Sequence, residues 1–183
     1  MTFIESETIE LKSSVVADLC KEVIAFANTR GGTLYIGVED TGTVIGVDSA
    51  DRVTLQINNM VRDSIKPDIT MFVHYETQVI NDKQIIAVTV QEGTDRPYYR
   101  GSKGLKPSGV YVRNGTSTDP ASDTAIRKMI KETDGDSFET MRSLEQNLSF
   151  QAAEAQFAKR KVPYDAAKMQ TLGMVSSDDI YSM

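Results

Sequence analysis

The order of apolar and polar residues predicts an alternation of short strands and helices along most of the chain. Thr8 to Lys12 alternates, with Ile9 and Leu11 facing one way and Thr8, Glu10 and Lys12 the other, as a half-buried strand does. Ser13 and Ser14 then supply a helix cap, and from Val15 to Ala27 the apolar positions recur in steps of three and four, a helix with a wide buried face. Gly31 and Gly32 stop it. Thr33 to Glu39 predicts a strand with Leu34, Ile36 and Val38 on its core face. Asp40-Thr41-Gly42 has turn chemistry, and Thr43 to Val47 returns as the second arm of a hairpin.

A second helix runs from about Ala50 to Ile65, with Val53, Ile57, Met60, Val61 and Ile65 on one side, and Lys66-Pro67-Asp68 ends it. Ile69 to Ile80 and Lys83 to Val90 are long β-type runs joined across Asn81-Asp82, the clearest hairpin in the chain. Val110 to Arg113 is a last short strand, and Pro120 opens a helix that continues to about Glu132. The segment TDGDS, Thr133 to Ser137, reads as a domain edge. The expected division is a domain over 1–134 and a helical segment over 138–183, built from Phe138 to Leu144, a stretch capped by Ser149, and a piece after Pro163. This tail lacks a closing element, so the expectation is a fragment of a longer protein with further domains. The fold class is α/β in content and α+β in arrangement: a mixed, mostly antiparallel sheet with helices packed against it, plus a helical C-terminal tail.

Composition narrows the compartment. With 183 residues, 40% hydrophobic and 25% charged, the chain has the make-up of a soluble globular protein. No apolar run is long enough for a bilayer, and the acidic N-terminus MTFIESETIE lacks the basic and apolar parts of a signal peptide. The single cysteine, Cys20, excludes an internal disulfide and a cysteine-based zinc site. A cytoplasmic protein without membrane contact is the expectation.

Charge changes the picture further. The net charge of −6 argues against coating nucleic acid by bulk attraction. Residues 1–95 carry seven Lys/Arg and fifteen Asp/Glu, whereas residues 96–118 carry five Lys/Arg and no acid. In that short segment Arg96, Arg100, Lys103, Lys106 and Arg113 interleave with Tyr98, Tyr99 and Tyr111, around a mobile loop RGSKGLKPSG. Cations and aromatic rings on such a loop suit phosphate contact and base stacking. The alternative is a solvated loop that balances the acidic body, but the absence of any acid among the five cations favours the contact reading.

Other motifs carry less. GGTLYIG precedes and occupies a strand, the wrong order for a dinucleotide loop, and KGLKPSG lacks the ending of a P-loop. His74 is the only histidine and has no cysteine or second histidine to make a zinc set, so it reads as structural. Glu5 and Glu10 would converge only if the chain bends near Ser6, and Asp40 lies at the end of another strand. Three such carboxylates need a cation among them, and a bound Mg²⁺ or Mn²⁺ could activate water for phosphodiester cleavage. Spacing alone favours the blander reading: Glu10 paired with Lys12, Glu5 on the surface and Asp40 in a turn.

The runs ESETIELKSS, KEVIAFANTRGGTLYIGVEDTGTVIG, SIKPDI, RPYYRGSKG and GVYVRNGTSTDPAS, in this order over residues 1–132, resemble the Schlafen AlbA-type domain. Bacterial members of that family are described as DNA-binding domains of transcriptional regulators, some labelled as related to the RecG helicase. The resemblance implies an α/β domain that binds nucleic acid, DNA or RNA. Animal Schlafens cleave tRNA or rRNA with three acidic residues, and by motif position these would be Glu5, Glu10 and Asp40. The animal nuclease core joins two lobes, and a homodimer would have to supply the second one here. The expected function is a bacterial-type DNA-binding regulatory fragment, contacting nucleic acid through the basic loop and Arg30, with no cofactor. The alternatives are a Mg²⁺- or Mn²⁺-dependent ribonuclease and a protein-interaction module that uses the acidic body.

Overall fold

The computed structural model describes residues 3–133, 151–163 and 165–171. The chain forms two compact units, Met1–Thr133 and Asp134–Met183. The fold of the first is mixed α+β with a mostly antiparallel sheet. Strand β1 (Ile9–Lys12) and strand β2 (Gly32–Ile36) are parallel neighbours, joined by helix α1 (Leu19–Ala27). After helix α2 (Ala50–Ser64) and the two-residue β3 (Ile65–Lys66), β4 (Val73–Ile80) and β5 (Lys83–Val90) form a hairpin. Strand β5 pairs antiparallel with β2, which gives the order β1-β2-β5-β4. A second pairing joins β3 to β6 (Tyr99–Arg100), and a third is the hairpin β7 (Tyr111–Asn114) and β8 (Ser117–Pro120). Helix α3 (Asp123–Thr133) closes the unit.

Both faces of the sheet are covered. On one face Val23, Ile24 and Phe26 of α1 and Ile57 and Val61 of α2 pack on Leu34, Ile36, Ile86 and Val88. On the other, Phe3 and Val38 pack with Leu11 and Ile85. A third cluster, Val110, Ala121, Ile126 and Met129, seats α3 beside β7. Each fully buried aliphatic side chain contributes roughly 1.5–3 kcal/mol of transfer free energy, so these clusters hold the unit together. Gly31 ends α1 in the left-handed region (φ 74°), and its N–H donates to the Phe26 carbonyl at 2.9 Å. A Cβ there would lie 2.6 Å from the Val90 carbonyl oxygen, so the close approach of helix end and sheet demands glycine.

Several elements differ from the sequence expectation. Helix α1 starts at Leu19 rather than Val15; Ser13 and Ser14 lie in the connecting loop, and Asp18 holds the N-cap position without a capping side-chain bond. Val15 packs against the core from that loop, which satisfies its apolar signal without a helical turn. The expected return strand Thr43–Val47 is reduced to one bridge, Val38 with Val44, because Gly37 and Gly46 both take positive φ and turn the backbone away. Pro120 is the last residue of β8 rather than the opening of a helix, and the Ser122 hydroxyl instead accepts the Ala125 N–H at 3.1 Å to cap α3.

The second unit contains α4 (Gln151–Lys159) and α5 (Ala166–Thr171). The expected helix over Phe138 to Leu144 and the Ser149 cap lie outside the described residues. Among the described residues no helix is long and apolar enough to cross a membrane.

Candidate nucleic-acid interface

On the polar face of β1, Thr8 is exposed and Lys12 half-buried, but Glu10 is buried, and an ionic cluster ties it to helix α1 and the β7–β8 hairpin. Arg113 of β7 is its centre, with a side chain only 1% exposed. Its guanidinium lies over the Phe26 ring, 4.9 Å from the centroid. It donates to Glu10 Oε2 at 2.8 Å, to Glu22 Oε2 at 3.3 Å, to the Ser6 carbonyl at 2.8 Å and to Thr118 Oγ1 at 3.1 Å. A longer bond of 3.4 Å reaches the Glu7 carbonyl. The Thr118 hydroxyl in turn donates to Glu22, and Lys12 pairs with the other oxygen of Glu10.

This chemistry shifts two groups. Burial pushes the Glu22 carboxyl above the usual glutamate range, against the hydrogen bond from Thr118, and neighbouring Glu10 pushes the same way. Burial opposes the charge on Lys12, but Glu10, with Glu22 and Glu5 behind it, outweighs that and raises the lysine.

The bend that Glu5 needs is present. Ser6 and Ile9 bridge each other across a tight turn, and Glu5 Oε1 accepts the Leu11 N–H at 3.4 Å. Glu10 therefore has both oxygens engaged by cations, Glu5 accepts a main-chain N–H from within β1, and Asp40 is exposed in the turn after β2. Among the described residues no three His, Cys, Asp or Glu side chains are grouped so as to hold a metal ion.

The basic segment is built differently from a free finger. Arg100 N–H donates to the Gly109 carbonyl at 2.9 Å and closes the loop at its base. Inside it, Lys103 and Gly104 donate to the Arg100 carbonyl, and Gly109 and Val110 to that of Lys106. Gly101 N–H binds Ser64 O at 2.8 Å, and the Tyr111 hydroxyl donates to Ser108 O at 2.8 Å.

The five cations of this segment divide into two groups. Arg96 pairs with Glu92 at 2.8 Å, Arg100 with Asp18 at 3.3 Å, and Arg113 is the buried centre described above. Lys103 and Lys106 are exposed and, among the described residues, have no ion pair. Arg30 is also exposed, 3.7 Å from Glu7. Lys66 joins the loop from β3, since its Cγ would lie 3.4 Å from a Cβ on Gly101. Sequence reasoning missed Lys66, because only the β3–β6 pairing brings it to the segment.

The aromatic residues correct the expectation of a stacking platform. Tyr98 is fully buried and its hydroxyl accepts the Asp95 N–H at 3.3 Å, so it is a core residue. Tyr99 is half-buried and packs against the α3 cluster. Asn28, also buried, explains why this segment sits where it does. Its amide donates to the carbonyls of Tyr98 (2.9 Å) and Tyr111 (3.0 Å) and its oxygen accepts the Tyr98 N–H (2.7 Å), clamping both ends of the segment to the end of α1. His74 is exposed and lies 3.4 Å from the Gln91 amide.

Comparison with known proteins adds a family to this geometry. The family model described as Schlafen, AlbA_2 matches residues 5–122. The crystal structure of a protein from Corynebacterium diphtheriae is similar, with 17% identity, a TM-score of 0.53, and coverage of 96% of this chain and 34% of that one. The chain thus spans about a third of that protein's length, and at this identity the likeness concerns the fold. The solution structure of the N-terminal domain of a RecG-related protein from Nitrosomonas europaea matches with 28% identity and a TM-score of 0.46, covering 60% of this chain and 79% of that one. No curated protein matches the chain.

Proposed function

The chain belongs to the Schlafen AlbA_2 family, and on that premise we propose that its first unit binds nucleic acid through phosphate contacts made by the loop between β6 and β7. The observation that carries this reading is the division among the five cations. Three arginines are committed to the protein's own acids, whereas Lys103 and Lys106 are exposed on a closed loop with no acidic partner among the described residues. Such lysines displace counterions from a polyanion, a term that acts at contact range and needs no net positive charge on the whole protein. Arg30 and Lys66 are further exposed cations for the same surface chemistry. A regulatory role on DNA is the use this binding would serve.

Metal-dependent cleavage is the poorer reading, since Glu10 would have to release both Lys12 and Arg113 before it could hold a cation. The test is fluorescence anisotropy with labelled duplex DNA and single-stranded RNA over a salt series. Lys103→Ala together with Lys106→Ala should weaken binding about tenfold or more at low salt and flatten the dependence of log K on log salt by roughly two ions. Unchanged affinity and slope would remove the loop from the interface.

A further inference from the structure

Strand β4 is the open edge of the four-stranded sheet, and its register makes it complementary to itself. Ile80 pairs with Lys83 across the two-residue turn Asn81-Asp82, whose φ angles are 51° and 61°. In such a hairpin the residues flanking the turn exchange backbone hydrogen bonds, and every second residue back along the strand does the same. His74, Glu76, Gln78 and Ile80 therefore turn their N–H and C=O groups toward β5. Tyr75, Thr77 and Val79 turn theirs outward. Among the described residues no backbone bond outside the sheet engages these three.

Apart from the charge of Glu76, the edge also lacks the usual protection. Native proteins blunt long edge strands with proline, lysine, bulges or a covering element. Strand β4 has eight residues, VHYETQVI, with no proline or lysine and an unbroken register against β5. Val79 is 65% exposed on it.

We infer that two copies of this chain pair antiparallel through β4, with Thr77 opposite Thr77 on the two-fold axis, to make one eight-stranded sheet. In that register Tyr75 meets Val79 of the second copy, and the outward-facing residues of both strands fall into reciprocal hydrogen-bonded pairs. The exposed Val79 then lies beside the half-buried Tyr75, whose ring already packs on its own chain's core, so the pair extends that apolar surface across the junction. Between these pairs Glu76 stands opposite Gln78 of the second copy, at the positions where side chains approach most closely. Carboxylate and amide are matched donors and acceptors; within one chain Gln78 Nε2 already donates to Glu76 Oε2 at 2.8 Å, so the two lie on the same face. A shift of the register by two residues would lose both matches, so the complementarity belongs to this alignment alone.

Sedimentation equilibrium of the full chain over a wide concentration range tests this without nucleic acid. The expected result is a monomer–dimer equilibrium in which Gln78→Glu, which sets two like-charged pairs across the axis, raises the dissociation constant about tenfold. Adding Glu76→Lys to Gln78→Glu converts those pairs to opposite charge and should restore dimerisation. Val79→Lys, at an exposed position, should give a monomer with unchanged circular dichroism and melting temperature. A wild-type chain that stays monomeric throughout overturns the inference, and so does a dimer indifferent to both Gln78→Glu and Val79→Lys.

Discussion

Arg113 carries a positive charge into the interior, and only its partners make that tolerable. Arg113→Ala would leave the buried Glu10 with Lys12 alone and the part-buried Glu22 without its ion pair, and removal of one partner from such a cluster costs about 3–5 kcal/mol. Urea unfolding followed by circular dichroism should show that loss, and a loss of unfolding free energy below about 1 kcal/mol would mean the cluster is solvated. The sequence placed Arg113 with the phosphate-binding cations because no acid lies near it in the chain; its partner Glu10 is 103 residues upstream. Burial of a charge at that separation leaves no local trace. One hint was available: Glu10 stands between Ile9 and Leu11 at the edge of a helix-covered strand, where a carboxylate needs a partner. Asn28 was hidden for the same reason. Its side chain serves two backbone segments more than 65 residues away, and nothing in FANTRGG announces them.

Elements whose signal is local were legible. The β4–β5 hairpin follows from alternating residues on either side of Asn81-Asp82, and both turn residues take the positive φ that a type I′ turn requires. Asp82 does so at a cost that glycine avoids. Asp82→Gly should therefore stabilise the first unit by about 0.5 kcal/mol, read as a rise in melting temperature, whereas a fall would show that the aspartate side chain supports the turn. The helix over residues 50–64 and its stop before Pro67 also follow from spacing. What failed were elements decided by distant contacts. Val15 and Val16 continue a helical pattern, yet the chain there is a loop whose path is fixed by packing on the core and by the Asp18–Arg100 pair. Strands β3 and β6, two residues each, exist only because each pairs with the other. Pro120 reads as a helix opener by itself, and only the β7 partner makes it the end of a strand.

At the scale of the whole molecule, all three apolar clusters lie within residues 3–129. A fragment of residues 1–133 should therefore unfold cooperatively with a melting temperature within a few degrees of the full chain, measured by calorimetry. A broad or absent transition would show that the later residues complete the core. The acidic body and the basic segment were both visible in the sequence, and the family resemblance gathered them into one domain. The loop itself has a consequence that its composition conceals. Glycine-rich and lysine-rich, RGSKGLKPSG reads as a stretch that a ligand would have to organise. Because main-chain bonds already hold Arg100 to Gly109, the two lysines would meet a phosphate, in the contact proposed above, from a backbone set in advance. Such an association would restrict little beyond the side-chain torsions of Lys103 and Lys106, so its entropic penalty would be that of two rotamer-rich arms rather than of ten residues freezing together.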